Sequence, residues 1–90
     1  MGLFYSSQQL EEVKNQLINS RCVFERLFDI CVKTLESFFK GKHYDGLYHI
    51  YVSKTGCYIV NVELMKKNKL KKLVKGLKLI ATFCYQYEVV

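Results

Sequence analysis

The first half of the chain carries its apolar residues at the spacing of amphipathic helices. Steps of three and four residues separate the positions Leu10, Val13 and Leu17, and later Phe24, Leu27, Phe28, Cys31, Leu35, Phe38 and Phe39. Ser6 and Gln9 have the spacing of a capping box, so a helix is expected to begin at about residue 7. The pattern predicts a helical layer over residues 7–40.

The only break in this period is Asn19-Ser20. Two interpretations follow, either two helices over about 7–19 and 21–40 or one helix that continues through the break. A strand between Cys22 and Val32 is the competing interpretation, because β-branched and aromatic residues are frequent there.

After a glycine-bracketed loop, the apolar period changes from helical to alternating. The alternation over 47–64 predicts a β-hairpin, and its polar turn, Ser53-Lys54-Thr55-Gly56, ends in a glycine that is able to adopt a positive φ. One face of the hairpin would carry Tyr48, Ile50, Val52, Tyr58, Val60, Val62 and Leu64. The opposite face would carry His49, Tyr51, Asn61 and Glu63.

The last third of the chain predicts a short helix over 65–76 and a strand over 78–89. The helix has an apolar stripe that is expected to pack on the rest of the protein, formed by Leu70, Leu73, Val74 and Leu77. The strand alternates Leu79, Ala81, Phe83, Tyr85, Tyr87 and Val89 with more polar positions. It could run parallel to the second hairpin strand or pair antiparallel. The whole predicts one α+β domain over 1–90, an α(α)ββαβ two-layer sandwich.

Charge is distributed unevenly along the chain, whose formal net charge is +6. Residues 1–53 hold six basic and six acidic side chains, whereas residues 54–90 hold eight lysines and two glutamates. Seven of those lysines lie in one segment that contains no acidic residue, and we call them the lysine run: Lys66, Lys67, Lys69, Lys71, Lys72, Lys75 and Lys78. Such a concentration of charge attracts polyanions, or alternatively only keeps a helix face soluble.

Residues for catalysis or metal binding do not form a recognisable motif. The four cysteines have no C-x-x-C spacing, which favours buried thiols in a reducing compartment; two disulfides are the alternative for an exported chain. His43, beside Tyr44 and Asp45, is the one candidate acid or base, as in a small ribonuclease. We therefore expect no enzyme activity, no metal and no cofactor.

Membrane insertion is not expected, because no apolar run approaches the ~20 residues of a spanning helix. The N-terminus lacks the regions of a secretory signal, so a cytoplasmic or other intracellular location is expected. Gly2 fits the loose pattern for myristoylation, to which the lysine run would add a second membrane signal. Whether Gly2 is modified stays open.

The lysine run therefore predicts a small non-enzymatic RNA-binding domain whose seven lysines contact phosphates. In outline, the strand, basic helix and strand of residues 47–90 resemble those of small ribosomal proteins, which implies a ribonucleoprotein component. Tyr51 and His49 are the aromatic candidates for base contacts. The alternative is a protein-interaction module, such as a small inhibitor encoded by a virus or mobile element, that docks the same helix on an acidic or nucleic-acid-binding surface. Self-association through the apolar surface of residues 22–39, which includes Phe24, Phe28, Phe38 and Phe39, fits that alternative.

Overall fold

A computed structural model describes residues 7–20 and 25–86 of the chain. The elements in these residues are α1 (Ser7–Asn19), α2 (Glu25–Lys40), β1 (Gly46–Val52), β2 (Cys57–Asn61), α3 (Lys67–Leu73) and β3 (Lys78–Tyr85). The predicted α+β class is confirmed, with two helices before the hairpin. The competing strand is wrong from residue 25 onward, where α2 begins; residues 22–24 and the capping residue Ser6 lie outside the described residues.

The strands of the described chain form one antiparallel sheet in the order β2-β1-β3. β1 is central and pairs antiparallel with both neighbours, so β2 and β3 run in the same direction without touching. Both alternatives left open by the sequence are therefore partly correct, because β3 is parallel to β2 in direction but hydrogen-bonds only to β1.

The core lies between the two N-terminal helices and one face of the sheet. On α2 the buried positions recur every fourth residue, which is the apolar stripe of an amphipathic helix. The buried core consists of Leu10, Val13, Leu17, Leu27, Cys31, Leu35, Phe39, Tyr48, Ile50, Val52, Ala81, Phe83 and Tyr85. We call the face of the sheet that packs in this core the inner face, and the opposite face of the sheet the outer face.

The register of the hairpin differs from the predicted one in β2. Tyr48 pairs with Asn61, and Ile50 pairs with Ile59, so these residues share the inner face. Tyr58 and Val60 therefore lie on the outer face, opposite to the prediction. Alternation could not decide this point because both sets of β2 side chains are apolar, and a shift of one residue exchanges the faces.

The hairpin turn is held by the side chain of Ser53 rather than by a left-handed glycine. Ser53 Oγ accepts hydrogen bonds from the backbone N–H groups of Thr55 at 3.2 Å and Gly56 at 3.1 Å. Ser53 N–H donates to the carbonyl oxygen of Gly56 at 3.0 Å. Gly56 does not use the positive φ that is open to glycine, since the glycines with positive φ in the described chain are Gly46 and Gly76.

A bulge at the start of β3 moves one predicted face residue to the other side. Ile50 pairs with Ala81, whereas the next residue of β1, Tyr51, pairs with Leu79, so Ile80 is the extra residue. Leu79 consequently lies on the outer face and is 46% exposed. Phe83, like Ala81, is buried as predicted; Tyr87 and Val89 lie outside the described residues.

The apolar surface predicted within residues 22–39 is largely used by the core. Phe39 is buried, and Phe28 and Phe38 are half-buried against the core cluster. Ile30, on the same helix, is 40% exposed, and self-association through this segment stays a prediction. Phe24, the remaining phenylalanine of the predicted set, lies outside the described residues.

The free side of β3 is covered by a side-chain amide from α1. Gln16 Nε2 donates to the carbonyl oxygen of Thr82 at 2.8 Å, and Thr82 N–H donates to Gln16 Oε1 at 3.1 Å. The two bonds reproduce the pairing that a neighbouring strand would make. β3 is therefore an edge strand with part of its edge occupied.

Replacing Gln16 with alanine is expected to lower the free energy of unfolding by about 1–2 kcal/mol, because two intramolecular hydrogen bonds are lost. Urea unfolding followed by circular dichroism measures the change. Asn15→Ala, an exposed amide on the same helix, is the matched control and should change stability by less than about 0.5 kcal/mol. Equal stabilities of Gln16→Ala and the parent would contradict the edge-covering role of Gln16.

Candidate functional site

Three features of the helix α3 lower its stability: its length, its N-cap and the charge of its first turn. It has only 7 residues, its N-cap residue Lys66 makes no side-chain hydrogen bond, and its first turn has no acid. Lysines at the N-terminus of a helix oppose the helix dipole, and helices this short are marginal without tertiary packing. The sequence of α3 therefore favours exposed positive charge over helix stability.

The apolar stripe of α3 is not buried, contrary to the prediction that it packs on the protein. No residue of α3 is buried, and Leu73 is 54% exposed. No Cα atom of α3 lies within 8 Å of a Cα atom in another described helix or strand. The helices α1 and α2 already cover the inner face of the sheet, so α3 has no place in the core.

The seven predicted lysines are all exposed. Lys66 precedes α3, Lys75 follows it, and Lys78 is the first residue of β3; Lys67, Lys69, Lys71 and Lys72 lie within α3. Ion pairs outside the lysine run join Lys14 to Glu11 and Glu36, and Lys33 to Asp29. The nearest acid in sequence, Glu63, instead accepts a hydrogen bond from Leu47 N–H at 3.0 Å. The lysines of the run are thus exposed to solvent, where an external anion can reach them.

A cleft of about 530 Å³ adds two basic residues that the sequence did not indicate. Arg26 from α2 and Lys54 from the hairpin turn line it together with Lys78. These residues come from three distant parts of the chain, so no local pattern could have associated them. The positive surface therefore extends from α3 toward the end of the hairpin.

A second opening lies between β2 and α3, and we call it the β2–α3 groove. It is lined by Cys57, Tyr58, Ile59, Val60, Leu73, Val74 and Leu77, with a volume of about 610 Å³. Tyr58 is 47% exposed. An apolar, aromatic opening thus runs beside the most basic segment of the protein.

The predicted aromatic pair of the outer face is differently arranged. Tyr51 is buried, and its hydroxyl lies 3.1 Å from His49 Nδ1. Tyr58 is therefore the accessible tyrosine of the outer face in the described residues. The position of Tyr58 on the outer face follows from the pairing of β2 with β1, which the sequence pattern did not predict.

His43 packs as an aromatic ring. Its imidazole stacks on Phe38 with ring centres 3.8 Å apart and an angle of 8° between the planes. It lies beside Lys42, Tyr44 and Tyr48 at an opening of about 450 Å³. The imidazole of His43 is thus held by ring packing, with Lys42 and Tyr44 beside it at the opening.

The described cysteines are free thiols in three different environments. Cys31 is fully buried, and its thiol shares a hydrogen bond with half-buried Cys57. Burial raises the pKa of Cys31, and burial together with the neighbouring Cys31 raises the pKa of Cys57 strongly. Cys84 is exposed, so the prediction that all the cysteines are buried is wrong for that residue; Cys22 lies outside the described residues.

Neither a metal-binding cluster nor a membrane-spanning helix is found in the described part of the chain. No cluster of three or more His, Cys, Asp or Glu side chains suited to a metal ion occurs in residues 7–20 and 25–86. Among the described helices, none combines the length and the apolar character needed to cross a bilayer.

Comparison with known protein families, with curated proteins and with solved structures finds no match.

Proposed function

We propose that the protein is a small RNA-binding domain that contacts the phosphate backbone through the lysines in and around α3. The observation that carries this proposal is the run of seven exposed lysines from Lys66 to Lys78, which is uninterrupted by acid. Phosphate is the anion that RNA presents at regular intervals, and lysines that neutralise it release counterions. The role is non-enzymatic and fits a ribonucleoprotein component in an intracellular compartment.

The construction of α3 supports this function. A helix that lacks a side-chain hydrogen bond at its N-cap, carries lysines at its positive end and buries no residue gains stability when an anion neutralises that charge. Lysine makes point-charge contacts, so recognition would depend on the backbone more than on base identity. Arg26 and Lys54 would extend the contact beyond the lysine run.

The test replaces Lys66, Lys69 and Lys72 with glutamine and measures RNA affinity by fluorescence anisotropy across a salt series. Binding by the parent should weaken steeply with salt, and the slope of log affinity against log salt should fall by about 0.7–0.9 for each lysine removed. Thermal stability should barely change, because the three side chains are exposed.

A matched control separates this surface from net charge. Changing Lys33, Lys40 and Lys42 to glutamine removes the same charge from exposed positions outside α3. This triple variant should retain nearly the parent slope. The proposal is refuted if the parent binds no RNA at low salt or if its affinity does not depend on salt. It is also refuted if both triple variants lose the same amount of RNA affinity.

A second candidate is a protein-interaction module that docks α3 on an acidic protein surface. The exposed position of Leu73 favours it, because an apolar side chain among lysines suits a protein partner. Affinity purification with and without nuclease distinguishes the two. A partner retained after nuclease treatment supports the module, whereas loss of all bound material supports RNA binding.

A further inference from the structure

The β2–α3 groove is apolar, and contacts with phosphate alone would not make use of it. Its apolar floor combines side chains of β2 with those of Leu73, Val74 and Leu77. In sequence, Lys72 and Lys75 flank Leu73 and Val74 directly. None of the described lysines lines the groove itself, but the exposed Lys72 and Lys75 are the chain neighbours of its lining residues. A ligand that is apolar inside the groove and negatively charged outside it would match this arrangement.

Tyr58 packs against the hairpin turn at one side of this groove. Its ring lies over Gly56, where a β-carbon would come within 3.0 Å of the tyrosine hydroxyl and 3.2 Å of its ring. The ring is therefore supported by the backbone of the turn, yet 47% of the residue stays exposed. A supported, accessible aromatic ring stacks a flat partner with little loss of side-chain entropy.

We infer that the β2–α3 groove takes one unstacked base of a single-stranded RNA, with Tyr58 as its stacking surface. The inference rests on the proposed function, to which it adds the class of RNA. The choice of occupant follows from charge complementarity, since a nucleotide joins a flat ring to a phosphate, and the apolar lining of the groove is directly followed in the chain by exposed lysines. The volume of about 610 Å³ lies within the ~300–1,000 Å³ of ligand sites and exceeds what one base needs.

Duplex RNA cannot use this site, because its bases are stacked and paired inside the helix. The lysines of α3 would still bind its phosphates. We therefore expect the protein to prefer single strands over duplexes, with the difference residing in Tyr58. Stacking of a base on an aromatic side chain is sequence-tolerant, so the preference should not depend on which base enters.

The experiment uses the full chain and a short single-stranded RNA, an identical RNA with abasic positions throughout, and a duplex of the same length. Tyr58→Thr removes the ring but keeps a residue that favours strands. Binding to the intact single strand should weaken by about 5- to 150-fold, the range for loss of one stacked base. Binding to the abasic strand and to the duplex should change less than twofold.

Two control variants accompany the test. Tyr58→Phe keeps the ring and should bind the intact strand within about threefold of the parent. Tyr44→Ala removes a 75% exposed tyrosine near the other end of β1 and should leave all three affinities unchanged. A 2-aminopurine in the single strand should be quenched on binding to the parent and to Tyr58→Phe, but not to Tyr58→Thr.

The outcomes separate the inference from the function on which it rests. If the parent binds all three nucleic acids in a salt-dependent manner and Tyr58→Thr changes none, the base-stacking inference is wrong and phosphate binding stands. An equal loss on the intact and abasic strands also refutes stacking. If the parent binds polyglutamate but no RNA at low salt, both the inference and the RNA-binding proposal fail.

Discussion

The variant Leu35→Ala is expected to unfold with a free energy about 2–5 kcal/mol lower than that of the parent. Leu35 is fully buried on α2, in the middle of the layer between the helices and the inner face of the sheet. Removing its side chain leaves a cavity that the surrounding β-sheet and helices cannot fill by relaxation. Urea unfolding, monitored by circular dichroism, measures the loss.

Leu73→Ala provides the matched control for Leu35→Ala. The sequence alone suggests the same cost for both leucines, because each lies on an apolar helical stripe. Leu73 is 54% exposed, so its replacement should change the free energy of unfolding by less than about 1 kcal/mol. A loss at Leu73 as large as that at Leu35 would mean that α3 packs on the protein, contrary to the structure.

The described thiols are expected to react with N-ethylmaleimide at very different rates. Cys84 is exposed and should be modified first, whereas Cys31 should react about 100-fold or more slowly, because the reagent reaches it only after local or global opening. The raised pKa of Cys31 also lowers its thiolate fraction. Mass spectrometry of peptides from timed samples measures both rates. Similar rates would contradict the burial of Cys31.

The same two raised pKa values predict lower stability at alkaline pH. An unfolded thiol ionises near pH 8.5, whereas Cys31 and Cys57 stay protonated in the folded protein, so the folded state binds more protons above that pH. The contribution of the two thiols to the free energy of unfolding is complete below about pH 8.5 and declines as the pH rises toward their pKa values in the folded protein. The urea concentration at the unfolding midpoint should therefore decrease as the pH is raised from about 8 to 9.5.

Replacing both Cys31 and Cys57 with alanine should flatten this decline, although the double variant will be less stable at every pH. Cys84→Ser is the control and should follow the parent curve. Parallel curves for the parent and the double variant would show that the thiol pair does not cause the alkaline loss.

The arrangement of helices and strands was predictable because local signals agree with the fold. Three- and four-residue spacing gives α1 and α2, and the polar turn around Ser53 gives the hairpin. The lysine run was equally accessible, since its members are neighbours in sequence and charge does not depend on packing. Their exposure in the structure is what the composition of that segment indicates.

The details of the candidate site depend on packing that a single sequence does not encode locally. The face on which Tyr58 lies depends on the pairing of β2 with β1, and alternating apolar residues allow either register. The exposure of Leu73 depends on whether the sheet has an open place for α3. Likewise, Arg26 and Lys54 meet Lys78 only through the assembled fold.

The amide of Gln16 also determines how the protein can associate with other strands. Because this side chain occupies backbone groups of Thr82, an incoming strand would have to displace it before pairing with β3. At the opposite edge, none of the described strands pairs with β2 on the side away from β1. Strand addition at β3 carries the cost of breaking both hydrogen bonds of Gln16, which disfavours edge-to-edge aggregation through that strand.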